Sequence, residues 1–370
     1  MPQIIPCHLR LPAGFRVGTR GVNLEEAGPI LPSDTLFAAL VDCARRAGMD
    51  ATAFVERFKH DPPPFKLTSA FPRAGELRFY PMPADVLASL PRAERAKRGK
   101  SLKRVQFISE GVLRRLQGGE PATMLLFPED ADAAPKAGGS AVLQSGAVWL
   151  MLDERAQLPA SMQLSDKQLA GLHRQIVWKA SISPRVTVSR STNESAIFHS
   201  GRIVYAEGCG LWFGAWFADG AFSAELKHLL SLLQHDGLGG ERSAGYGAFT
   251  FDVKPAIAWP DAPPNSSALL LSRYSPRESE LEDVRHAASA YALAPVAGWL
   301  RSPDGAAQRR KRVTMIEAGS VIHQRQPLAG NLADVTPAFN NPAGQLPHKV
   351  YRNGHALAIG WPAQKEPTPA

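Results

Sequence analysis

The sequence predicts an α+β protein in which one plan is used twice, as a larger unit over residues 1–255 and a smaller one over 266–362. Three observations predict it. Strand-like alternation and helix-like spacing succeed one another along the first unit, closing with strand, helix and strand, the split pattern of two-layer ferredoxin-like (RRM-like) domains. Pro255, Pro260, Pro263 and Pro264 then interrupt the chain as a linker. Beyond them a strand at 268–272, a helix at 278–290 and a strand at 291–300 repeat the plan in compact form. The first unit also carries a long insertion at about 81–140 and a glycine-rich loop at 237–247, and 363–370 reads as a tail. At 370 residues the chain is long enough to bury two sizeable cores.

Residues 3–11 read as the opening strand, and 15–23 as an excursion carrying Arg16 and Arg20. Pro32, Ser33, Asp34 and Thr35 announce a helix with the buried stripe Leu36, Phe37, Leu40, Val41 and Ala44, its free N–H groups capped by Ser33 or Asp34. Pro62, Pro63 and Pro64 break the chain before a strand at 65–71. In the insertion a helical piece falls at 85–90. From Arg92 to Arg104 seven Lys or Arg residues meet one acid, Glu94. Such a run reads as a solvated or mobile loop, or else as a contact to a nucleic-acid backbone. A short helix at 107–116 and a flexible connection at 130–140 complete the insertion.

Residues 142–152 read as a strand and 165–172 as helical. The next stretch holds Lys179, Arg185 and Arg190, with Val186 and Val188 alternating with Thr187 and Ser189. An extended segment there puts one face in the core and leaves arginines at its ends, where Arg and Thr/Ser groups suit phosphate and 2′-hydroxyl contacts. Residues 203–205 and 211–217 read as a hairpin. Phe222, Leu226, Leu229, Leu230 and Leu233 mark one face of a helix, with Ser223 as its N-cap and Gly237 as its stop. Phe249, Phe251 and Val253 then alternate with Thr250 and Asp252 as a strand. In the second unit Arg309, Arg310, Lys311 and Arg312 precede a strand ending at Ile316, and strands at 349–352 and 356–359 turn through Asn353 and Gly354 as a hairpin.

The glycine loop, Gly-Leu-Gly-Gly-Glu-Arg-Ser-Ala-Gly-Tyr-Gly, removes the side chains that keep a polymer off the main chain and lets N–H groups point outward as an anion nest. Arg242, Ser243 and Tyr246 add a charge, a hydroxyl donor and a stacking surface. It is not a P-loop, because Tyr246 and Gly247 stand where Lys and Ser or Thr are needed. It is not a dinucleotide fingerprint either, since Arg242 replaces the third glycine and a helix precedes the loop.

The composition agrees with a polyanionic partner: Lys and Arg total 42 against 34 Asp and Glu, a formal charge of +8. No apolar run is long enough to span a bilayer and no secretory signal opens the chain, so no membrane role and a cytoplasmic location are expected. Cys7, Cys43 and Cys209 lack any metal-ligand spacing and read as buried apolar residues, with no metal or cofactor expected.

The glycine loop, placed after the last helix of such a unit, resembles the signature loop of the CRISPR repeat-associated mysterious proteins (RAMPs). Four further stretches narrow the resemblance: Leu-Pro-Ser-Asp-Thr-Leu-Phe-Ala-Ala-Leu at 31–40, Pro-Arg-Val-Thr-Val-Ser-Arg-Ser-Thr at 184–192 followed by Ile-Phe-His-Ser, Glu-Ala-Gly-Ser-Val-Ile at 317–322, and Tyr-Arg-Asn-Gly-His at 351–355. Together, in order along nearly the whole chain, they look like the type III-A effector subunit that holds the 5′ handle of the guide RNA. That resemblance implies a non-enzymatic subunit whose partners are crRNA, a large polymerase-like signalling subunit and backbone RAMP subunits. It implies RNA contacts from Arg185, Arg190 and Thr192, and from Gly237, Gly239, Gly240, Arg242, Ser243, Gly245, Tyr246 and Gly247; Lys179 joins them on charge. One departure is Ser189, where many relatives carry an acid. Some relatives cut repeat RNA without a metal. That alternative needs a general acid and base, for which His8, His173, His199, His228 and His235 are the candidates, although no pair of them has a convergent spacing. A polymerase-type enzyme lacks its pair of metal-binding carboxylates on a hairpin.

Overall fold

A computed structural model describes residues 2–18, 27–125, 139–188, 194–300, 308–337, 346 and 348–362. Its centre is a large mixed sheet in the order Thr250–Val253, Gln3–Arg10, Cys209–Phe217, Phe71–Ala74, Leu77–Pro81, Phe107–Ser109, Val148–Met151 and Ser140–Leu143. Short strands at Phe65–Leu67 and Ile257–Ala258 join it off this path. The pairs are antiparallel except Phe107–Ser109 with Val148–Met151. The opening strand sits centrally, with Leu9 opposite both Leu211 and Phe251. Such a strand is covered on both faces, and Ile4, Pro6 and His8 on one and Cys7 and Leu9 on the other are all buried. Helices Ser33–Arg46 and Ala221–Asp236 pack together and join the same core through Leu36, Phe37 and Leu40 on one, and Leu226, Leu229, Leu230 and Leu233 on the other.

Several expected elements fold differently. The basic run from Arg92 is not a loop; Arg92–Leu102 is a helix. Its Ala, Glu, Arg and Lys residues are good helix formers, Glu94 lies in the first turn, and the buried Leu102 anchors the far end. The expected helix at 107–116 begins as strand Phe107–Ser109, and Ser109 then caps helix Glu110–Gln117 by accepting from Val112 N–H. The single strand expected at 142–152 is two, Ser140–Leu143 and Val148–Met151, turned by Gln144 and Ser145 at φ +52°. The flexible connection expected at 130–140 and the tail at 363–370 lie almost wholly outside the described residues.

Strands Trp178–Val188 and Ser195–Tyr205 pair with each other along their whole length as a two-stranded arm. The hairpin expected from 203–205 and 211–217 therefore does not form, since Cys209–Phe217 pairs instead with the opening strand. Nor does the arm bury one face along its length: Ile182, Val186, Val188 and Ile197 are all more than half exposed.

In the C-terminal half, Ser266–Leu270 is flanked by Val321–Gln324 and Ala358–Trp361 in a three-stranded sheet. The helix expected at 278–290 is a single turn at Glu278–Glu280 followed by Leu281–Arg285, and the strand expected at 291–300 divides into Leu293–Val296 and Trp299–Leu300. Asn353 and Gly354 do not close a hairpin. Neither has the positive φ that a tight two-residue hairpin needs, and the strands on either side belong to different sheets: Tyr351–Asn353 pairs with Leu332–Asp334, and Ala358–Trp361 with Ser266–Leu270. Gly354 instead lies against Ser275, where a Cβ has no room.

The halves share one apolar core, because Leu269, Leu271, Leu357, Ile359 and Trp361 pack into the cluster built on the large sheet. No helix among the described residues is long and apolar enough to cross a membrane.

Candidate nucleic-acid interface

Strand alternation divides the arm into two faces. Ser181, Ser183 and Arg185 lie on one, opposite Arg202, Ser200 and Phe198, and this face turns toward the glycine loop. The Arg185 guanidinium carbon stands 5.0 Å from the Tyr246 ring centroid and that of Arg202 stands 5.1 Å from it. Burial raises the Tyr246 phenol, but a hydrogen bond with Arg185, the charges of Arg202 and Arg185 and a hydrogen bond with Ser183 outweigh it and leave the group below its ordinary range. Tyr246 is buried. It is thus a support on which two cations are held, not the open stacking surface expected from the sequence.

The loop is built around three glycines with no alternative. Gly237 ends the preceding helix at φ +80°, with Tyr246 O 2.9 Å from where a Cβ would sit. Gly239 (φ +85°) lies on the Arg16 carbonyl, and Gly247 (φ +81°) on the backbone of Leu238. Gly245 (φ +83°) faces open space. Much of the loop's N–H supply is spent within the protein. Gly240 donates to Arg16 O at 2.8 Å, Gly247 to Gly14 O at 2.9 Å, and Leu238 to Gly247 O at 2.9 Å. The nest of outward N–H groups expected from the glycine content is to that extent replaced by a brace holding the loop to 14–16, and Phe15 bridges in turn to Ile203 at the arm's base. One physical unit therefore joins the start of the chain, the arm and the loop.

Of the remaining candidates, Arg242 and Ser243 are exposed, and Arg242 Nη2 lies 3.8 Å from Asp42 Oδ2. Lys179 is exposed near the base of the arm, opposite Val204. Arg190, Thr192 and Ser189, like Arg20, lie outside the described residues. Sequence reading missed Arg202, whose Nε is buried with no hydrogen-bond partner among the described residues. The signal is the pairing register, which sets it opposite Ser181.

The histidines do not converge. His8 is buried in the sheet, and His173 Nδ1 bonds to Ala170 O at 2.9 Å. His199 is opposite Pro184, on the arm face away from Arg185, while His228 and His235 are exposed on the helix before the loop. Among the described residues no group of three or more His, Cys, Asp or Glu is placed to hold a metal ion.

The sequence motifs at 31–40, 317–322 and 351–355 meet elsewhere. Asp34, fully buried, accepts from Arg273 Nη1 at 3.2 Å and Arg352 Nη1 at 2.9 Å, and Arg273 Nη2 also donates to Glu317 at 2.7 Å. Ser33 Oγ accepts from Arg273 N–H. Neither residue caps its own helix, as the sequence suggests; the N-cap is Pro32 and has no side-chain bond. Both serve the C-terminal half.

Residues 264–361 match the model of the CRISPR Csm4 C-terminal domain. No curated protein matches the sequence. Among solved structures, the chain is similar to one in a Csm3-Csm4 subcomplex of the type III-A CRISPR-Cas interference complex, with TM-score 0.61 and 14% identity over 97% of this chain and 99% of that one. It is also similar to one in a Csm1-Csm4 cassette in complex with pppApA, with TM-score 0.55 and 17% identity over 100% of each. A Csm1-Csm4 cassette in complex with cA4 gives TM-score 0.53 and 17% identity over 97% and 98%. Residues 264–361 therefore match the CRISPR Csm4 C-terminal domain, and the chain as a whole shares the fold of chains in these Csm4-containing assemblies.

Proposed function

We propose that the chain is a non-catalytic subunit of a type III-A CRISPR ribonucleoprotein, acting in the cytoplasm, that binds the 5′ handle of crRNA on the surface shared by the arm and the glycine loop. In this reading it joins a Csm1-like large subunit to Csm3-like backbone subunits, as the matched Csm1-Csm4 and Csm3-Csm4 assemblies suggest. The supporting observation is the pair of guanidinium groups, Arg185 and Arg202, held together over Tyr246. Two like charges brought to one ring repel, and a phosphate beside them relieves that repulsion. Exposed Arg242 and Ser243, with Gly240 and Gly245 bare of side chains, extend the surface for close backbone approach. The same reading divides the chain into two ferredoxin-like domains, 1–255 and 266–362. For the first, the strand order Thr250–Val253, Gln3–Arg10, Cys209–Phe217, Phe71–Ala74 supports it.

The test is binding of labelled handle RNA by the purified chain across a salt series. Arg185→Ala and Arg202→Ala should each weaken binding and reduce the slope of log affinity against log salt by about 0.7 for each phosphate no longer neutralised. The RNA should be recovered intact, whereas a repeat-RNA endonuclease would shorten it. Unchanged affinity and slope in both variants would overturn the assignment.

A further inference from the structure

We propose that a second hairpin arm, in the C-terminal half, is a separate contact for single-stranded RNA, with Trp299 as the platform for an unpaired base and Arg309, Lys311 and Arg312 as phosphate partners. Leu293–Val296 pairs with Val313–Ile316, and farther out Trp299–Leu300 pairs with Gln308–Arg309. Buried Ala294, Val296 and Met315 make a small apolar cluster that stiffens its base. Trp299 is 57% exposed, an unusual state for an indole, and Arg309 sits directly opposite it with its guanidinium carbon 5.3 Å from the ring centroid. An exposed aromatic ring beside cations is the arrangement by which single strands are held irrespective of sequence.

The charges point the same way. Several arginines elsewhere meet carboxylates, as Arg57 meets Glu225, Arg78 Glu110, Arg277 Asp61 and Arg325 Asp283. None of Arg309, Arg310, Lys311 and Arg312 meets a carboxylate in an ion pair among the described residues. Arg310 Nε is also buried with no hydrogen-bond partner among those residues, and burial together with the charge of Arg352, opposed by that of Asp34, pulls its guanidinium down to about 10. This concentration of positive charge, with no carboxylate in direct contact, is stable only where an anion visits or water reaches it.

The arm is also well placed to share a strand with the first interface. Arg352 ties it to the start of helix Ser33–Arg46, donating to Asp34 and to Ala297 O, and Arg310 N–H bonds to Gly298 O. The far end of that helix carries Asp42, beside Arg242 of the glycine loop. Eight helical residues rise about 12 Å, so the two basic surfaces are anchored at the ends of one short rigid rod.

The inference rests on the proposed RNA-binding role but concerns different residues, so the two fail separately. The full chain is titrated with labelled oligoadenylate and with a blunt RNA duplex, for the parent and for Trp299→Ala, Trp299→Phe, Lys311→Ala/Arg312→Ala and Arg185→Ala. Trp299→Ala should lose roughly 5- to 100-fold in oligoadenylate affinity, with duplex binding and the salt slope unchanged, and Trp299→Phe should retain most of it. The double variant should lower the slope by about 0.7 per phosphate it ceases to neutralise. If only Arg185→Ala weakens binding, this arm is not an RNA contact while the handle reading stands; if only the arm variants do, the reverse holds. If Trp299→Ala leaves RNA binding intact and instead abolishes capture of a neighbouring effector subunit, the arm is a protein surface and the proposal is overturned.

Discussion

At the scale of single residues, His8 illustrates how burial alone decides what a titratable group can do. It lies in the central strand opposite Trp212 and Asp252, and burial, reinforced by Arg73, Arg78 and Lys254 and opposed by Asp252, pushes its imidazole down to about 3. It is a neutral core residue over the ordinary pH range. In the unfolded chain it takes a proton near pH 6.5. Between those values the unfolded state binds the extra proton, so the stabilisation is complete above pH 6.5 and is lost progressively as the pH falls toward 3. Asp85, pushed up to about 6 by burial against the bond from Trp361, has the opposite sense: its contribution is complete below about pH 4 and is lost as the pH rises through 6. The difference between parent and variant isolates His8. His8→Gln should be less sensitive to acid than the parent by about 1.6 kcal/mol between pH 6.5 and 5, measured as urea unfolding free energies. Identical pH profiles would show that His8 does not titrate on unfolding as argued. Arg185 and Tyr246 were both legible as candidates in the sequence, but their meeting was not, because it depends on strands 178–188 and 195–205 pairing in one register.

At the scale of elements, the glycine loop separates residues needed by the fold from residues left open. Gly247→Ala asks a Cβ to occupy the space of the Leu238 backbone at φ +81°, so the loop must move; the variant should lose several kcal/mol and carry the Tyr246 support with it. Gly245→Ala meets nothing and suffers only the left-handed backbone cost, about 1–2 kcal/mol. Denaturation midpoints for the two variants should differ in that order, and equal losses would contradict the packing described. Helix Ala221–Asp236, the loop and strand Thr250–Val253 were readable from apolar spacing and a glycine stop. The helix at Arg92–Leu102 was not, since a block of like charge suggests repulsion while each residue separately favours helix. The Asn353-Gly354 turn misled for a related reason: dipeptide preference is local, whereas its flanking strands find partners far away in sequence.

At the scale of the molecule, three of the stretches that carried the family resemblance serve to join the halves. Asp34 comes from the first, Glu317 from the second and Arg352 from the third, with Arg273 between them. That the stretches were important could be read in the sequence; that they bind one another could not, because Asp34 and Arg352 are separated by nearly the whole chain. Around them the apolar core runs without a break from the large sheet into Leu269, Leu357 and Trp361. A protein so connected should unfold as a unit, with intrinsic fluorescence and far-ultraviolet circular dichroism giving coincident transitions. Asp34→Ala leaves Arg273, Arg352 and nearby Arg310 with Glu317 as the remaining acid, and removing one partner from a buried ionic cluster costs about 3–5 kcal/mol. Arg352→Ala should also be costly, but the double variant should lose clearly less than the sum, because the second substitution removes a charge that the first left unpaired. Strict additivity would mean that Asp34 and Arg352 do not act as a pair, and separate transitions for the two probes in the parent would mean that the halves do not unfold together.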